Sequence, residues 1–184
     1  MAIFAGNTTW WLKDLDRGRK YVSTQIVVQS GLVLNLDAGV SDSYGGSGST
    51  WTDLSSSSND ASISNNTHNT GESFTITSTS DNTLSGINLT GGSFSMEMWI
   101  NRTGNSHDGA EGQLFTQDSG NNNGNGWQWK VTNSDNIVRF VYWTSSTRSS
   151  AVTIASDTAL SNSTWYQLVV TYNGTTIKMY QNED

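Results

Sequence analysis

Apolar and polar residues alternate along several short segments of this chain. The clearest is residues 94–101, where Phe94, Met96, Met98 and Ile100 fall on one side of an extended strand and the intervening residues on the other. Shorter runs, separated by Gly, Asn and Ser, lie at 32–36, 73–78, 86–89, 113–116, 126–132, 137–143 and 151–155. Many short strands without a helical stretch predict an all-β chain, folded as an antiparallel sandwich or barrel.

Two further runs, Trp165–Tyr172 and Thr175–Tyr180, flank Asn173 and Gly174 near the end of the sequence. Asn-Gly between strands is a strong signal for a two-residue hairpin turn, because both turn residues then adopt positive φ. We therefore expect these two runs to pair as a β-hairpin.

The first thirty residues differ from the rest in charge. Residues 1–28 hold four basic and two acidic side chains, whereas the remainder holds five basic and fourteen acidic ones, for a net charge of −7. We expect residues 1–30 to form an extended arm with one or two strands and residues 31–184 to form the domain. Apolar groups on an arm need cover from the domain or from another subunit. The candidate anchoring residues are Trp10, Trp11, Arg17, Arg19 and Lys20.

Composition narrows the class of protein. Ser, Thr, Asn and Gly account for 88 of the 184 residues, which is typical of long polar loops, while eight Trp, six Tyr and five Phe argue against disorder. The absence of cysteine excludes disulfides and thiolate metal sites. An acidic body repels phosphate backbones, so a nucleic-acid partner is not expected. Neither a run of 18 apolar residues nor a signal-peptide pattern is present, which predicts no membrane insertion and no Sec export.

Candidate catalytic groups are sparse. A glycoside hydrolase needs two carboxyl groups roughly 5 to 9 Å apart. Glu97 stands alone on its strand face, with Trp99 and Asn101 at the next alternate positions. His68 and His107 lie in polar segments without a nucleophile motif. We therefore expect a protein that is not an enzyme.

Sugar binding requires a flat aromatic surface beside polar groups that reach hydroxyls. Trp127 and Trp129 share one strand face next to an Asn/Gly loop containing Asn123 and Asn125, and Trp143 ends a neighbouring strand. These five residues are the candidate carbohydrate platform. The alternative is that the three Trp side chains belong to the core, as most strand Trp residues do.

A calcium ion is the other candidate ligand. Asp37, Asp53 and Asp118 are the candidate ligands, although the segment "DSGNNNGNG" at 118–126 supplies one carboxylate and lacks the spacing of a calcium loop. Alternatively, Asp37 and Asp53 accept hydrogen bonds from turn amides. No cofactor is required in either case.

Five segments together resemble a known family. They are "GLVLNLDAG" at 31–39, "WTDLSSSSNDASI" at 51–63, "GGSFSMEMWINRTG" at 91–104, "LFTQD" at 114–118 and "WYQLVVTYNGTTIKMYQN" at 165–182. In order and spacing they resemble the laminin-G-like jelly rolls of the concanavalin A-like lectin and glucanase superfamily, in the form common in structural proteins of marine and cyanobacterial bacteriophages. The resemblance implies an antiparallel jelly-roll sandwich in which Trp51, Trp99 and Trp165 are structural.

The resemblance also implies a function, and it shows that a strand found in the family is missing from this sequence. It implies a structural virion component, tail- or fibre-associated or decorating the capsid surface, assembled in many copies with other virion proteins and presenting a lectin-like domain. The alternative is a carbohydrate-binding module that recognises host glycans, and the second alternative is a glycoside hydrolase. Family members continue past the hairpin with a last strand that pairs near the first strand of the domain, and this sequence lacks it. We expect either a fragment of a longer protein or a strand supplied by the arm or by another subunit.

Overall fold

The computed structural model describes residues 2–5, 30–69, 73–77, 80–84, 87, 89, 92–104, 111–117, 126–132, 134–143 and 151–182. All regular elements in these ranges are β-strands, and every pairing between them is antiparallel. The strands are β1 (Ala2–Ala5), β2 (Leu32–Asn35), β3 (Thr50–Trp51), β4 (Ala61–Ser64), β5 (Thr67–Asn69), β6 (Ser73–Thr75), β7 (Asp81–Leu84), β8 (Phe94–Asn101), β9 (Glu111–Gln117), β10 (Trp127–Thr132), β11 (Val138–Trp143), β12 (Ala151–Ala155), β13 (Trp165–Tyr172) and β14 (Ile177–Gln181).

Two large sheets form the body of an antiparallel sandwich. The five-stranded sheet has the order β14-β13-β8-β1-β2, and the four-stranded sheet has the order β12-β11-β10-β9. Strands β3, β4 and β7 form a small third sheet, and β5 pairs with β6. The predicted all-β sandwich is thus confirmed. No helix in the described part of the chain is long and apolar enough to cross a membrane.

Strand β8 shows why the sequence folds in this way. Phe94, Met96 and Met98 are buried against the second sheet, whereas Glu97 and Trp99 are partly exposed on the other side. The period of two in the sequence becomes two physical faces because successive side chains of a strand point in opposite directions. The predicted alternation of this segment is confirmed.

Aromatic rings join the two large sheets. Phe94 and Tyr172 of the five-stranded sheet meet Phe140 and Tyr142 of the four-stranded sheet, with ring centroids 5.4–6.1 Å apart. These ring pairs are tilted or edge-on, the arrangement that aromatic quadrupoles favour. The Tyr142 hydroxyl also donates to the carbonyl of Leu89 at 3.0 Å, so this buried polar group is satisfied.

Strand β1 lies inside the five-stranded sheet. It pairs with β8 on one side, Ala2 opposite Glu97, and with β2 on the other, Ala2 opposite Asn35. Residues 2–5 of the expected arm are therefore a strand of the sandwich, because they are hydrogen-bonded to two of its strands. Of the expected alternatives, the arm itself supplies a strand beside β2. The anchoring candidates Trp10, Trp11, Arg17, Arg19 and Lys20 lie outside the described residues.

The closing hairpin is present, but its turn differs from the prediction. Tyr172 and Ile177 are the last paired residues, so the loop has four residues instead of two, and Gly174 has positive φ whereas Asn173 does not. The Oδ1 atom of Asn173 accepts hydrogen bonds from the amides of Thr175 at 2.9 Å and Thr176 at 2.7 Å. This side-chain cap stabilises the wider loop, which is how Asn commonly acts in turns.

Two of the shorter predicted strands are also adjusted. The run 73–78 contributes only β6, whose partner is β5 of a two-stranded sheet, and Ile76 beyond it is exposed. Ile87 and Leu89 of the run 86–89 are buried without being part of a strand. Their apolar character serves packing against the core instead of sheet pairing.

Candidate functional site on the five-stranded sheet

The outer face of the five-stranded sheet, turned away from the core, carries a mixed aromatic and polar surface. Register fixes its layout, since Trp165 lies opposite Asn101, Gln167 opposite Trp99, and Val169 opposite Glu97. Residues directly opposite one another in adjacent antiparallel strands share a face of the sheet. The described residues of this outer face on β8, β13 and β14 are Ser95, Glu97, Trp99, Asn101, Trp165, Gln167, Val169, Thr171, Lys178 and Tyr180.

A hydrogen-bonded trio lies at the centre of this face. The Oε1 atom of Glu97 accepts from the indole Nε1 of Trp99 at 3.1 Å and from the amide Nε2 of Gln167 at 2.8 Å. Hydrogen bonds to a carboxylate are stronger than neutral ones, so the trio holds its three side chains in fixed positions. Both of these hydrogen bonds are to Oε1, and no described residue donates one to the Oε2 atom of Glu97.

Trp165 is the exposed aromatic side chain of this face. It has 46% of its surface exposed, although it begins a strand of the sandwich. Trp99 is its diagonal neighbour across the β8–β13 pair, a position that brings Cβ atoms within about 7 to 8 Å. The indole edge of Trp99 is already engaged by Glu97. Trp165 therefore lies on the same face as the trio, next to Trp99 and Gln167.

The end of the hairpin supports the buried amide of the trio. Oδ1 of Asn182 accepts from the backbone amide of Gln167 at 3.0 Å, and the amide of Asn182 donates back to the carbonyl of Gln167 at 3.0 Å. Asn182 has φ +53°, a conformation that Asn tolerates better than most residues. This pair of bonds fixes the backbone on which Gln167 is mounted.

The arrangement suits recognition of hydroxyl groups better than bond cleavage. Indole faces cover the apolar faces of sugar rings, while carboxylates and amides bond their hydroxyls. Glu97 is the only acidic residue in the five strands of this sheet. A second carboxyl group within roughly 5 to 9 Å, as glycoside hydrolysis requires, is not supplied by these strands.

The three Trp residues of the carbohydrate platform predicted from the sequence do not lie on the surface. Trp127 and Trp129 are 1% and 0% exposed, and Trp143 is 9% exposed. Trp127 packs on Phe115 with ring centroids 5.2 Å apart, and Trp129 meets the ring of Phe140 edge-on at 5.8 Å. The platform is thus wrong for these three residues.

The physical reason is the direction of strand β10. The alternation of this strand turns both indoles into the core, toward the five-stranded sheet. The structure thus shows the alternative, that these Trp residues are core aromatics. Asn123 and Asn125, the polar candidates beside them, lie outside the described residues.

Trp99 and Trp165, which the resemblance implied to be structural, lie on the outer face of the sheet. A signal for Trp99 was present, because it alternates with Phe94, Met96 and Met98 and so belongs with Glu97 on the opposite side. Trp165 alternates in the same way with the buried residues Tyr166, Leu168 and Val170, but how far it is exposed depends on which strands lie beside it.

The acidic candidates for calcium are engaged within the protein. Oδ1 of Asp37 accepts from the amide of Gly39 at 2.9 Å, as expected for an Asp in a turn. Asp53 accepts from the amides of Asn35, Ser55 and Asn59 at 2.7–2.9 Å and from the Ser55 hydroxyl at 2.6 Å. Both residues thus follow the turn-amide alternative.

Asp118 lies outside the described residues. Among the residues that are described, no group of three or more His, Cys, Asp or Glu side chains is arranged to hold a metal ion.

Burial and hydrogen bonding act in opposite directions on Asp53. Burial raises the pKa of its carboxyl group, but the hydrogen bonds from Ser55, Asn35 and Asn59 outweigh it, so the pKa is lowered from 3.8. The carboxylate is therefore charged at neutral pH and ties β2 to the segment 53–59.

Fold and outer face together define a lectin-like β-sandwich. A family model described as the concanavalin A-like lectin/glucanases superfamily, Laminin_G_3, matches residues 56–183. Since the match covers more than half of the chain, this protein belongs to that superfamily. The matched range includes β8 and β13, which carry the trio and Trp165. No curated protein and no solved structure matches the chain.

Proposed function

We propose that this protein is an attachment protein that binds a carbohydrate on the outer face of its five-stranded sheet. The observation that carries the proposal is Trp165, a large aromatic side chain left 46% exposed beside the Glu97–Trp99–Gln167 trio. An exposed indole next to fixed hydrogen-bonding groups supplies both the apolar and the polar half of sugar recognition.

Binding without cleavage is part of the proposal. Supporting it, Glu97 has Trp99 and Gln167 as its hydrogen-bonding partners and no carboxyl neighbour in the same sheet. A carboxylate in that setting accepts hydrogen bonds from sugar hydroxyls through its second oxygen. It lacks the partner group that would protonate a leaving group or activate water.

The setting we propose is a bacteriophage virion, with the protein as a tail- or fibre-associated component or a capsid-surface decoration protein. The similarity of segments such as 31–39 and 165–182 to phage structural proteins supports this setting. A chain without cysteine also folds without disulfides in a reducing host cytoplasm. Many copies on one particle raise weak glycan binding by roughly 10² to 10⁴ through avidity, where geometry permits.

A glycan array followed by calorimetry tests the binding face. Trp165→Ala removes the exposed indole, and we expect at least about a tenfold loss of affinity, equivalent to ~1.4 kcal/mol. Ile76→Ala is the matched control, because Ile76 is also a large exposed apolar residue but follows β6, outside the five-stranded sheet. Equal affinity in these two variants, or no binding to any glycan, would refute the proposal.

Glu97→Gln tests the polar half of the site. Gln retains the oxygen that accepts from Trp99 and Gln167, and it replaces the second carboxylate oxygen by an NH₂ group. We expect weaker glycan binding together with a loss of at most about 1 kcal/mol in urea stability, because the bonds from Trp99 and Gln167 become neutral ones. The virion setting is tested separately by labelling purified particles with an antibody to the domain, and unlabelled particles would remove that setting while leaving glycan binding intact.

A further inference from the structure

Strand β1 occupies a slot between two strands that are otherwise far apart in the sheet. Ala2, Ile3, Phe4 and Ala5 lie opposite Glu97, Met96, Ser95 and Phe94 of β8, and the other edge of β1 pairs with β2. Because neighbouring strands are about 4.8 Å apart, β2 and β8 flank a gap of roughly 10 Å. Without a strand in that gap, both would present unpaired backbone amides and carbonyls. An extended segment is the structure that fits it.

The connection from β1 to its neighbour β2 is much longer than the geometry needs. Residues 6–31, 26 residues, join Ala5 to Leu32 although Phe4 and Leu32 are direct Cα partners. Antiparallel neighbours are ordinarily joined by two to five residues. A covalent link of this length is long enough to let the same strand reach the equivalent slot of another copy.

Charge partly offsets the repulsion between two copies that such a crossing would otherwise meet. Residues 1–28, which include β1, carry four basic and two acidic side chains, and the rest of the chain carries five basic and fourteen acidic. A net-positive segment extended across a net-negative neighbour is attracted to it, while the two bodies alone repel each other.

We propose that β1 is exchanged between copies of this protein, so that residues 2–5 of one chain pair with β2 and β8 of a second chain. Strand β1 can insert into the slot of its own chain or into the slot of another copy. The backbone pairing is the same in both arrangements, which differ only in the chain to which the strand is connected. For a connection of this length, insertion of β1 into its own chain corresponds to an effective concentration of about millimolar. Exchange therefore becomes substantial where copies are held together at such concentrations, as in a multicopy assembly, and it links them without a new contact surface.

Engineered cysteines distinguish insertion of β1 into its own chain from exchange between copies. The natural chain contains no cysteine, so every disulfide formed involves the engineered residues. Ala2 and Asn35 are Cα partners across β1 and β2, a spacing compatible with a disulfide. The full-length Ala2→Cys protein is mixed with the Asn35→Cys protein, refolded together, oxidised and run on a non-reducing gel. A mixture of Ala2→Cys with Thr171→Cys is the matched control, since Thr171 lies on β13, on the far side of β8.

Exchange predicts a disulfide-linked heterodimer in the first mixture. With the Asn35→Cys protein in about tenfold excess, the fraction of Ala2→Cys chains that are linked should rise from about one per cent near 10 µM Asn35→Cys to about half near 1 mM, with at least about tenfold less in the control. Heterodimer at the control level over this whole range overturns the proposal. The double variant Ala2→Cys/Asn35→Cys, kept dilute, should form the intrachain disulfide, and failure to form it also overturns the proposal, because β1 would then not occupy the slot.

Discussion

Replacing Asp53 by Ala should strongly destabilise the sandwich, because it removes a buried carboxylate that fastens β2 to the segment 53–59. Asp53 is 6% exposed, and its carboxylate accepts from three backbone amides and one hydroxyl. Each buried donor left without a partner costs about 1 to 3 kcal/mol. Since water reaches part of this segment once the carboxylate is gone, we expect a total loss of about 3 to 5 kcal/mol in the free energy of unfolding.

Two further variants separate hydrogen bonding from charge. Asp53→Asn retains one oxygen for the amides of Asn35 and Ser55 but turns an NH₂ group toward the amide of Asn59, so a smaller loss of about 1 to 2 kcal/mol is expected. Asp42→Asn makes the same charge change at an exposed position and should stay within about 0.5 kcal/mol of wild type. Equilibrium urea unfolding followed by tryptophan fluorescence measures all three.

Acid pH provides a second test of the role of Asp53. Because the folded-state pKa of Asp53 lies below 3.8, its contribution is complete above that pH and is lost as the pH falls from there through the folded-state pKa. Asp53→Asn should therefore reduce the acid dependence of stability below about pH 4, while Asp42→Asn should leave the Asp53 contribution intact. A stability of Asp53→Ala within about 1 kcal/mol of wild type at neutral pH would refute the argument that this carboxylate fastens β2 to segment 53–59.

Two other stability changes follow from the same structure. Phe140→Ala removes a fully buried ring that touches Phe94, Trp127 and Trp129. We expect the free energy of unfolding, measured by urea titration, to fall by about 3 to 5 kcal/mol, and a loss under about 1.5 kcal/mol would contradict its role between the sheets. Gly174→Ala places a side chain at φ +92° with no atom within 4 Å of the added Cβ, so backbone strain alone should cost about 1 kcal/mol, and an unchanged midpoint would show that the hairpin loop relaxes.

Part of this fold follows from local pattern. The alternation in residues 94–101 predicted both the strand and its buried face, since a strand places every second side chain on the same side. Asp37 could be placed in a turn because Asp followed by Ala-Gly commonly accepts a nearby amide. The hairpin at Asn173 and Gly174 was also evident, although its four-residue loop depends on a side-chain cap that dipeptide statistics do not specify.

The candidate site was less accessible to such reasoning. Alternation showed that Trp127 and Trp129 share a face of one strand, but their burial follows from the sheet packed against that face. Glu97 and Gln167 are 70 residues apart in sequence, and their hydrogen bond exists because β8 and β13 are neighbours. Composition and periodicity alone do not give the order of strands in a sheet.

The sequence by itself determined the all-β class, most of the strand segments and the side chains that alternate within them, because these depend on interactions between residues close along the chain. Only the tertiary structure decided which aromatic residues face solvent, which polar groups meet Glu97, and that residues 2–5 lie between β2 and β8. These features arise from pairing between distant segments, whose register and order are selected by burial of the whole core.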